Sequence, residues 1–252
     1  MHMRLLNVEV DREGVPLLRR LYEEKVVPAL GRVRGCRFAG LMQSVSQPER
    51  CLSLTLWDSP ADAVEYENSG LYGQLIDESK IFFSQTVEYT IKLSEDLQVE
   101  YVPVSNEPVA RSYPVAAQSG AEKRGRDLSQ ALWLRIVSLK ILAGKMEEFK
   151  ELYLTHSIPA LRSAPGCRHV YLLENDEASD EVFSITIWDS REHAVAYEQS
   201  GVFDRLIGLQ RHTLSGHAQG KLLAGEGDPG KSHGTGDVLV EHYTILTGRN
   251  FG

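Results

Sequence analysis

The chain is short of the residues that mark several functional classes. Its 252 residues include only three cysteines, Cys36, Cys51 and Cys167. An odd number with no framework of spacings argues against a disulfide scaffold, so the thiols are expected as small, partly buried strand residues. No cysteine pair or histidine cluster has ligand spacing, and no metal is expected. Basic residues are outnumbered, 27 Lys and Arg against 35 Asp and Glu. With no basic run, nucleic acid and anionic membrane surfaces are disfavoured as partners. No apolar run is long enough to span a bilayer. The opening M-H-M-R-L-L-N-V-E-V lacks the apolar stretch of a secretory signal, so a cytoplasmic protein is expected. No G-x-G-x-x-G opening a helix after a strand is read in the chain, nor a phosphate loop, and no nucleotide or other cofactor is expected.

What the chain does have is a repeat. Ser53 to Gly70, S-L-T-L-W-D-S-P-A-D-A-V-E-Y-E-N-S-G, returns as Ser184 to Gly201, S-I-T-I-W-D-S-R-E-H-A-V-A-Y-E-Q-S-G. A constant offset of 131 links the copies without a gap from Arg4/Arg135 to Phe83/Leu214. Two tandem domains are expected, residues 1–104 and 132–252, joined by a linker over 105–131 that is rich in Pro, Ser, Gly and charge.

Each copy begins with an alternating segment. Leu6, Val8 and Val10 face one way, as do Val137, Leu139 and Ile141, which predicts a strand. A helical stripe follows, Leu17, Leu18, Leu21 and Tyr22 matched by Glu148, Phe149, Leu152 and Tyr153, ending near the P-A-L of Pro28–Leu30 and Pro159–Leu161. G-C-R at Gly35 and Gly166 opens a second strand. The third strand has an aliphatic face (Leu52, Leu54, Leu56; Phe183, Ile185, Ile187), expected under the helices. Its mixed face (Ser53, Thr55, Trp57; Ser184, Thr186, Trp188) is expected against the other copy. D-S-P at Asp58–Pro60 starts a helix, and S-G at Ser69-Gly70 and Ser200-Gly201 ends it. Thr86–Leu93 fits either helix or strand. Val99–Val104 is matched with Val240–Ile245 as the last strand, at an offset of 141, which places about ten extra residues of copy two in a mobile loop at Gly225–Gly236.

The order β-α-β-β-α-β is the split-βαβ, ferredoxin-like arrangement, an α+β fold with both helices on one sheet face. The uncovered face needs a partner. The twin supplies it, predicting a pseudo-twofold α+β barrel within one chain. A monomer then suffices, and a homodimer remains open.

The element order, the S-A-P-G-C-R turn of copy two, and the strand-ending W-D-S before an A-V-x-Y-E helix resemble the antibiotic biosynthesis monooxygenase family, whose members form dimeric α+β barrels. The resemblance covers both copies. It implies one of several activities, since the family includes cofactor-independent monooxygenases of polycyclic phenols, haem-degrading enzymes and signal-molecule isomerases. The haem-degrading members use an Asn on the first strand, a Trp on the second helical region and a His ten residues later. Here those positions hold Asn7 and Ser138, then Tyr66 and Tyr197, then Ile76 and Ile207, so the axial imidazole is missing.

The reading that remains is a hydrophobic or aromatic small molecule bound between sheet and helices, oxidised without a cofactor if the protein is an enzyme. Such chemistry asks for a dry pocket, a proton acceptor and hydrogen bonds to a phenolate. His156, on the apparent buried stripe of its helix and twinned with Lys25, is the leading catalytic candidate, with Asn7, Tyr66 and Tyr197. Tyr22, Trp57, Tyr153 and Trp188 are the substrate-binding candidates; in the phenol-oxidising relatives the strand-ending Trp lies near the pocket. The aromatic residues read equally as packing anchors. A non-catalytic binding or assembly module, or an isomerase, fits the same frame.

Overall fold

The computed structural model describes residues 1–83, 88–93, 99–104, 109–119, 132–175, 180–215, 233–235 and 238–251. Copy one runs β1 (His2–Glu9), α1 (Gly14–Leu21), a wide π turn (Tyr22–Val26), α2 (Val27–Leu30), β2 (Cys36–Ser44), β3 (Arg50–Trp57), α3 (Pro60–Glu67) and α4 (Gly70–Lys80). Then come β4 (Glu88–Leu93), β5 (Val99–Val104) and β6 (Val109–Ser119). Copy two runs β7 (Trp133–Lys140), α5 (Met146–Leu152), a second π turn (Tyr153–Ser157), α6 (Ile158–Ser163), β8 (Cys167–Glu174), β9 (Glu181–Trp188), α7 (Arg191–Gln199), α8 (Val202–Gln210), β10 (His233–Thr235) and β11 (Val238–Asn250). Among the described residues no helix is long and apolar enough to cross a membrane.

Eight strands close into an antiparallel barrel in the order β11-β2-β3-β1-β6-β8-β9-β7, with β7 returning to β11. The tandem α+β barrel expected from the repeat is therefore present within one chain. β6 pairs first with β1 of its own copy and then with β8 of the other. β11 likewise pairs with β7 and then with β2.

This pairing corrects the last strand of copy one. Asn7 lies opposite Val109, and its twin Ser138 lies opposite Leu239, an offset of 130. The counterpart of β11 is thus β6, within the stretch expected to be linker. Val99–Val104 instead pairs with Glu88–Leu93 in a separate two-stranded sheet, which also settles Thr86–Leu93 as strand over its described part. Length explains the choice. A closing strand must span two neighbours in succession, and β6 has 11 residues where β5 has 6. The ten extra residues inferred for copy two follow from the wrong pairing. The loop read there as mobile, Gly225–Gly236, lies outside the described residues except at 233–235.

The faces of the third strands are also reversed from expectation. Leu52, Leu54 and Leu56 join Met3, Leu5, Ile136, Ile185 and Ile187 in one buried cluster inside the barrel. Ser53, Thr55 and Trp57 lie on the helix side, registered with Leu6, Arg4 and His2. Trp57 and Trp188 fall in two separate clusters under the helices of their own copies, not opposite one another. The barrel interior is lined by strands and filled mainly by aliphatic side chains, with Phe38, Tyr113, Tyr171 and Tyr243 among them. Under the helices, small Ser and Thr leave room for aromatic rings and accept their hydrogen bonds. There Tyr153 and Ser184 share a hydrogen bond of 2.7 Å.

The π turns matter most for function. Pro28 and Pro159 cannot donate to the carbonyl four residues back, and their rings press on it. The preceding turn opens, and the N–H groups of Val27 and Ile158 reach back to Tyr22 and Tyr153. One extra residue per turn shifts the buried stripe. Phe149 and Tyr153 are followed by Ser157, Ile158 and Leu161, and His156 is left exposed.

Candidate functional site

In copy two a cavity of about 20 Å³ lies between the sheet and the second π turn, α6, α7 and α8. Its polar lining is Arg135, Tyr153, Ser157, Ser184, Tyr197 and Gln210; Val137, Leu139, Leu161 and Phe203 are among its apolar walls. The strand supplies Arg135 and Ser184, because the helix-facing positions of β7 and β9 alternate with those filling the barrel. The π turn supplies Tyr153 and Ser157 from its two ends. A groove of about 500 Å³ lies outside it, between α6 and α7–α8, walled by Ala160, Ala164, Pro165, Ala196 and Val202. Tyr197 lines both spaces.

Arg135 is the strongest charge in this layer and is 2% exposed. Its Nε donates to Glu198 Oε1 at 2.6 Å. Its guanidinium lies 4.3 Å from the centre of the Phe203 ring and 5.9 Å from that of Tyr197. Its Nη2 is buried and has no hydrogen-bond partner among the described residues. Behind Glu198 stands His242, with Nε2 at 3.4 Å from the same carboxylate oxygen. Trp133 Nε1–H donates to His242 Nδ1 at 3.0 Å, which leaves the proton of a neutral imidazole on Nε2, facing Glu198. Deeper in the cavity Gln210 Nε2 donates to Ser157 Oγ at 2.7 Å.

Copy one repeats the frame but not this pair. Arg4 bonds Glu67 and lies over Tyr72 at 4.5 Å. Ser157 and Gln210 are replaced by Val26 and Ser79, and Ser79 bonds only the Leu75 carbonyl of its own helix.

The catalytic and substrate-binding candidates divide. Tyr153 and Tyr197 line the copy-two cavity. Tyr22 and Tyr66 occupy the equivalent layer of copy one. Trp57 and Trp188 are fully buried behind Tyr66 and Tyr197, each at 5.1 Å between ring centroids. Their indole N–H groups are taken by Thr55 and Thr186 at 2.8 Å, the bonding of packing anchors. Asn7 is on the other side of the sheet, opposite Leu52 and half-buried, so the sheet separates it from Tyr22 and Tyr66. His156 is exposed and lines neither space, and its twin Lys25 bonds Glu78 at 2.6 Å on the surface. The π turn removes the reason for choosing His156.

Burial raises the phenols of Tyr22 and Tyr197 to about 12 and those of Tyr66 and Tyr153 upward as well, so all four are donors at neutral pH and not bases. Burial likewise raises the three thiols to about 12, which removes them as nucleophiles. Among the described residues no three His, Cys, Asp or Glu side chains group as a metal site. The letters G-E-G-D-P-G-K-S at Gly225–Ser232 do spell a phosphate-loop pattern, contrary to the sequence reading above. They lie outside the described residues, and His233–Thr235, directly after them, is a strand and not the helix that such a loop precedes.

Arg135, Ser157, Gln210, Glu198 and His242 were not singled out from sequence. A signal existed for the first. Arg4 and Arg135 are twinned charges at helix-facing positions of apolar strands, and Glu67 and Glu198 are twinned too.

The sequence model of a family described as antibiotic biosynthesis monooxygenase matches residues 1–78 and 134–208, together more than half of the chain. No curated protein matches the chain. Among solved structures, a candidate monooxygenase from Lactobacillus acidophilus NCFM superposes with a TM-score of 0.68 at 8% identity, covering 100% of this chain and 96% of that one. A second from Fusobacterium nucleatum subsp. nucleatum ATCC 25586 gives 0.69 at 8%, covering 100% and 94%. An anthrone oxidase-like protein gives 0.56 at 13%, again covering 100% and 94%. At these identities the likeness shows the fold, with both copies included.

Proposed function

The chain belongs to the antibiotic biosynthesis monooxygenase family, and on that premise we propose that copy two binds an aromatic small molecule and oxidises it with dioxygen, without a bound cofactor. The observation that carries this reading is the pair of spaces in copy two, a small cavity with convergent polar groups between sheet and helices and a larger groove, with Tyr197 lining both. A phenol or quinol, once deprotonated, passes an electron to O₂ itself. Carbon radical and superoxide combine to a peroxide, and loss of water leaves a carbonyl, so that CH₂ and O₂ become C=O and H₂O. The protein's part is to exclude water, hold the oxygen of the substrate and favour the loss of its proton. Tyr153 and Tyr197 are donors in this scheme. Glu198, held by Arg135 and His242, lines neither space and fixes Arg135 from behind, and the positive charge of Arg135 favours loss of the substrate's proton to solvent.

A second reading has its own support. At about 20 Å³ the cavity in this state has room for one water, which suits a binding or assembly module whose copies serve the architecture. Thermal shift with anthrone-like phenols, naphthoquinols, haemin and flavins, followed by oxygen uptake, separates the two. A phenol at saturating concentration is expected to stabilise by a few kcal/mol, raising the midpoint by several degrees, and to consume oxygen. Stabilisation by haemin alone contradicts the proposal, and silence across the panel favours the module.

A further inference from the structure

The two spaces of copy two are of unequal size, and the difference describes a ligand. A water needs about 10–15 Å³ of this kind of space, so a cavity of about 20 Å³ takes one oxygen-sized group and no ring. The groove, at about 500 Å³, falls within the range of roughly 300–1,000 Å³ that suits a small organic ligand. One side chain, Tyr197, stands between them, and behind it lies the Arg135 guanidinium. A buried guanidinium N–H without a partner is costly, because the group has lost water and gained nothing in return. Arg135 lines the cavity, and its Nη2 is in that state among the described residues.

We propose that Arg135 is the specificity-determining residue of copy two: it selects a ligand with an anionic oxygen, which reaches past Tyr197 to Nη2 while the ring system sits in the outer groove. This rests on the reading that copy two is the binding site, and adds which chemistry it admits. Glu198 already occupies Nε, which leaves the two N–H groups of Nη2, and the cavity of about 20 Å³ has room for one oxygen. A single aryl oxyanion fits that geometry, whereas the second oxygen of a carboxylate has no room. The groove of copy two is open because its walls are short. Ser163, Pro165 and Ala196 stand where copy one has Arg32, Arg34 and Glu65. Ligand binding is therefore expected in copy two alone.

The test is isothermal titration of the full chain with naphthalene, 1-naphthol and 1-naphthoate, with absorbance of bound 1-naphthol reporting its ionisation. In the wild type 1-naphthol is expected to bind at least tenfold more tightly than either of the others, and to ionise at lower pH than it does free. Arg135→Gln is expected to abolish the preference and the ionisation shift while naphthalene still binds. Arg135→Lys, which keeps the charge, is expected to retain part of both. Near-UV circular dichroism establishes that each variant is folded. Ala164→Trp, which fills the groove, is expected to weaken all three probes at least tenfold. Equal binding of naphthalene and 1-naphthol to the wild type overturns the role of Arg135 but leaves the site. Tighter binding of 1-naphthoate overturns the single-oxygen geometry. Unchanged binding to Ala164→Trp overturns the groove as the seat of the rings. If no probe binds the wild type, both the site and this inference fall.

Discussion

Copy one and copy two share a frame down to individual hydrogen bonds. Each has a strand-ending Trp bonded to the Thr two residues earlier, a Tyr ring 5.1 Å from that Trp, a strand Arg bonded to a helix Glu, and a π turn ahead of Pro. They part where a cavity needs polar partners. Copy two has Ser157 bonded to Gln210 where copy one has Val26 and Ser79. Copy two also backs its carboxylate with His242 and has short side chains along α6 and α7. The frame is thus a matter of packing and is kept twice, whereas the differences concentrate in one layer of one copy.

The largest effects should fall equally on both halves. Trp57→Ala and Trp188→Ala each remove a fully buried indole and its stacking partner's support, at about 3–5 kcal/mol. Urea unfolding is the measurement, and a cost in one copy well below that range would show the frames to be unequal. The polar pair should then separate the copies. Gln210→Ala leaves the buried Ser157 hydroxyl without its donor, at about 1–3 kcal/mol. Ser79→Ala loses only a bond to its own helix, at about 0.5–1.5 kcal/mol. Equal costs would make Gln210 a spectator.

Alkaline pH should act on both copies. An unfolded tyrosine ionises near about 10. Tyr22 in copy one and Tyr197 in copy two, raised by burial to about 12, hold their protons longer when folded. The folded chain then binds more protons than the unfolded one, so stability falls as pH rises. The contribution is intact below about pH 10 and is lost through about pH 12. Unfolding midpoints across that range test it, and Tyr22→Phe or Tyr197→Phe should each remove part of the slope. The smallest effects belong to the surface pair that first distinguished the copies in sequence. Lys25→Ala and His156→Ala should each change stability by less than about 0.5 kcal/mol. His156→Ala should also leave 1-naphthol binding unchanged; a loss of binding would restore His156 to the site.

The repeat, the order of elements and the closed α+β barrel were legible in the sequence because periodicity and twinned motifs record them directly. Alternation at Leu52 to Trp57 showed that two faces exist, but not which one the barrel encloses. That depends on which face meets the helices and which meets the other copy, a property of the assembled layers. Likeness of letters chose V-E-Y-V-P-V as the last strand, whereas closure requires a segment long enough to bridge two copies. Of the site, Tyr153 was found from its helical stripe and Tyr197 from the repeated A-V-x-Y-E segment. His156 was placed by ideal helical spacing, which the proline-opened turn breaks. Arg135 was overlooked although it is twinned with Arg4, because its burial and its Nη2 without a partner among the described residues are visible only in the folded layers.

The exchange of last strands between the halves has a consequence for how such a molecule can change. In a homodimer of this barrel, symmetry makes every substitution twice, so a residue that opens a cavity in one subunit opens it in the other and loses packing at both. Here β6 and β11 perform the same closing role from different stretches of one chain, with different residues. A substitution is made once. Copy two can hold an arginine with a spare donor, and copy one can fill the same layer with valine. The covalent join thus lets one half diverge while the other preserves the shape that both require.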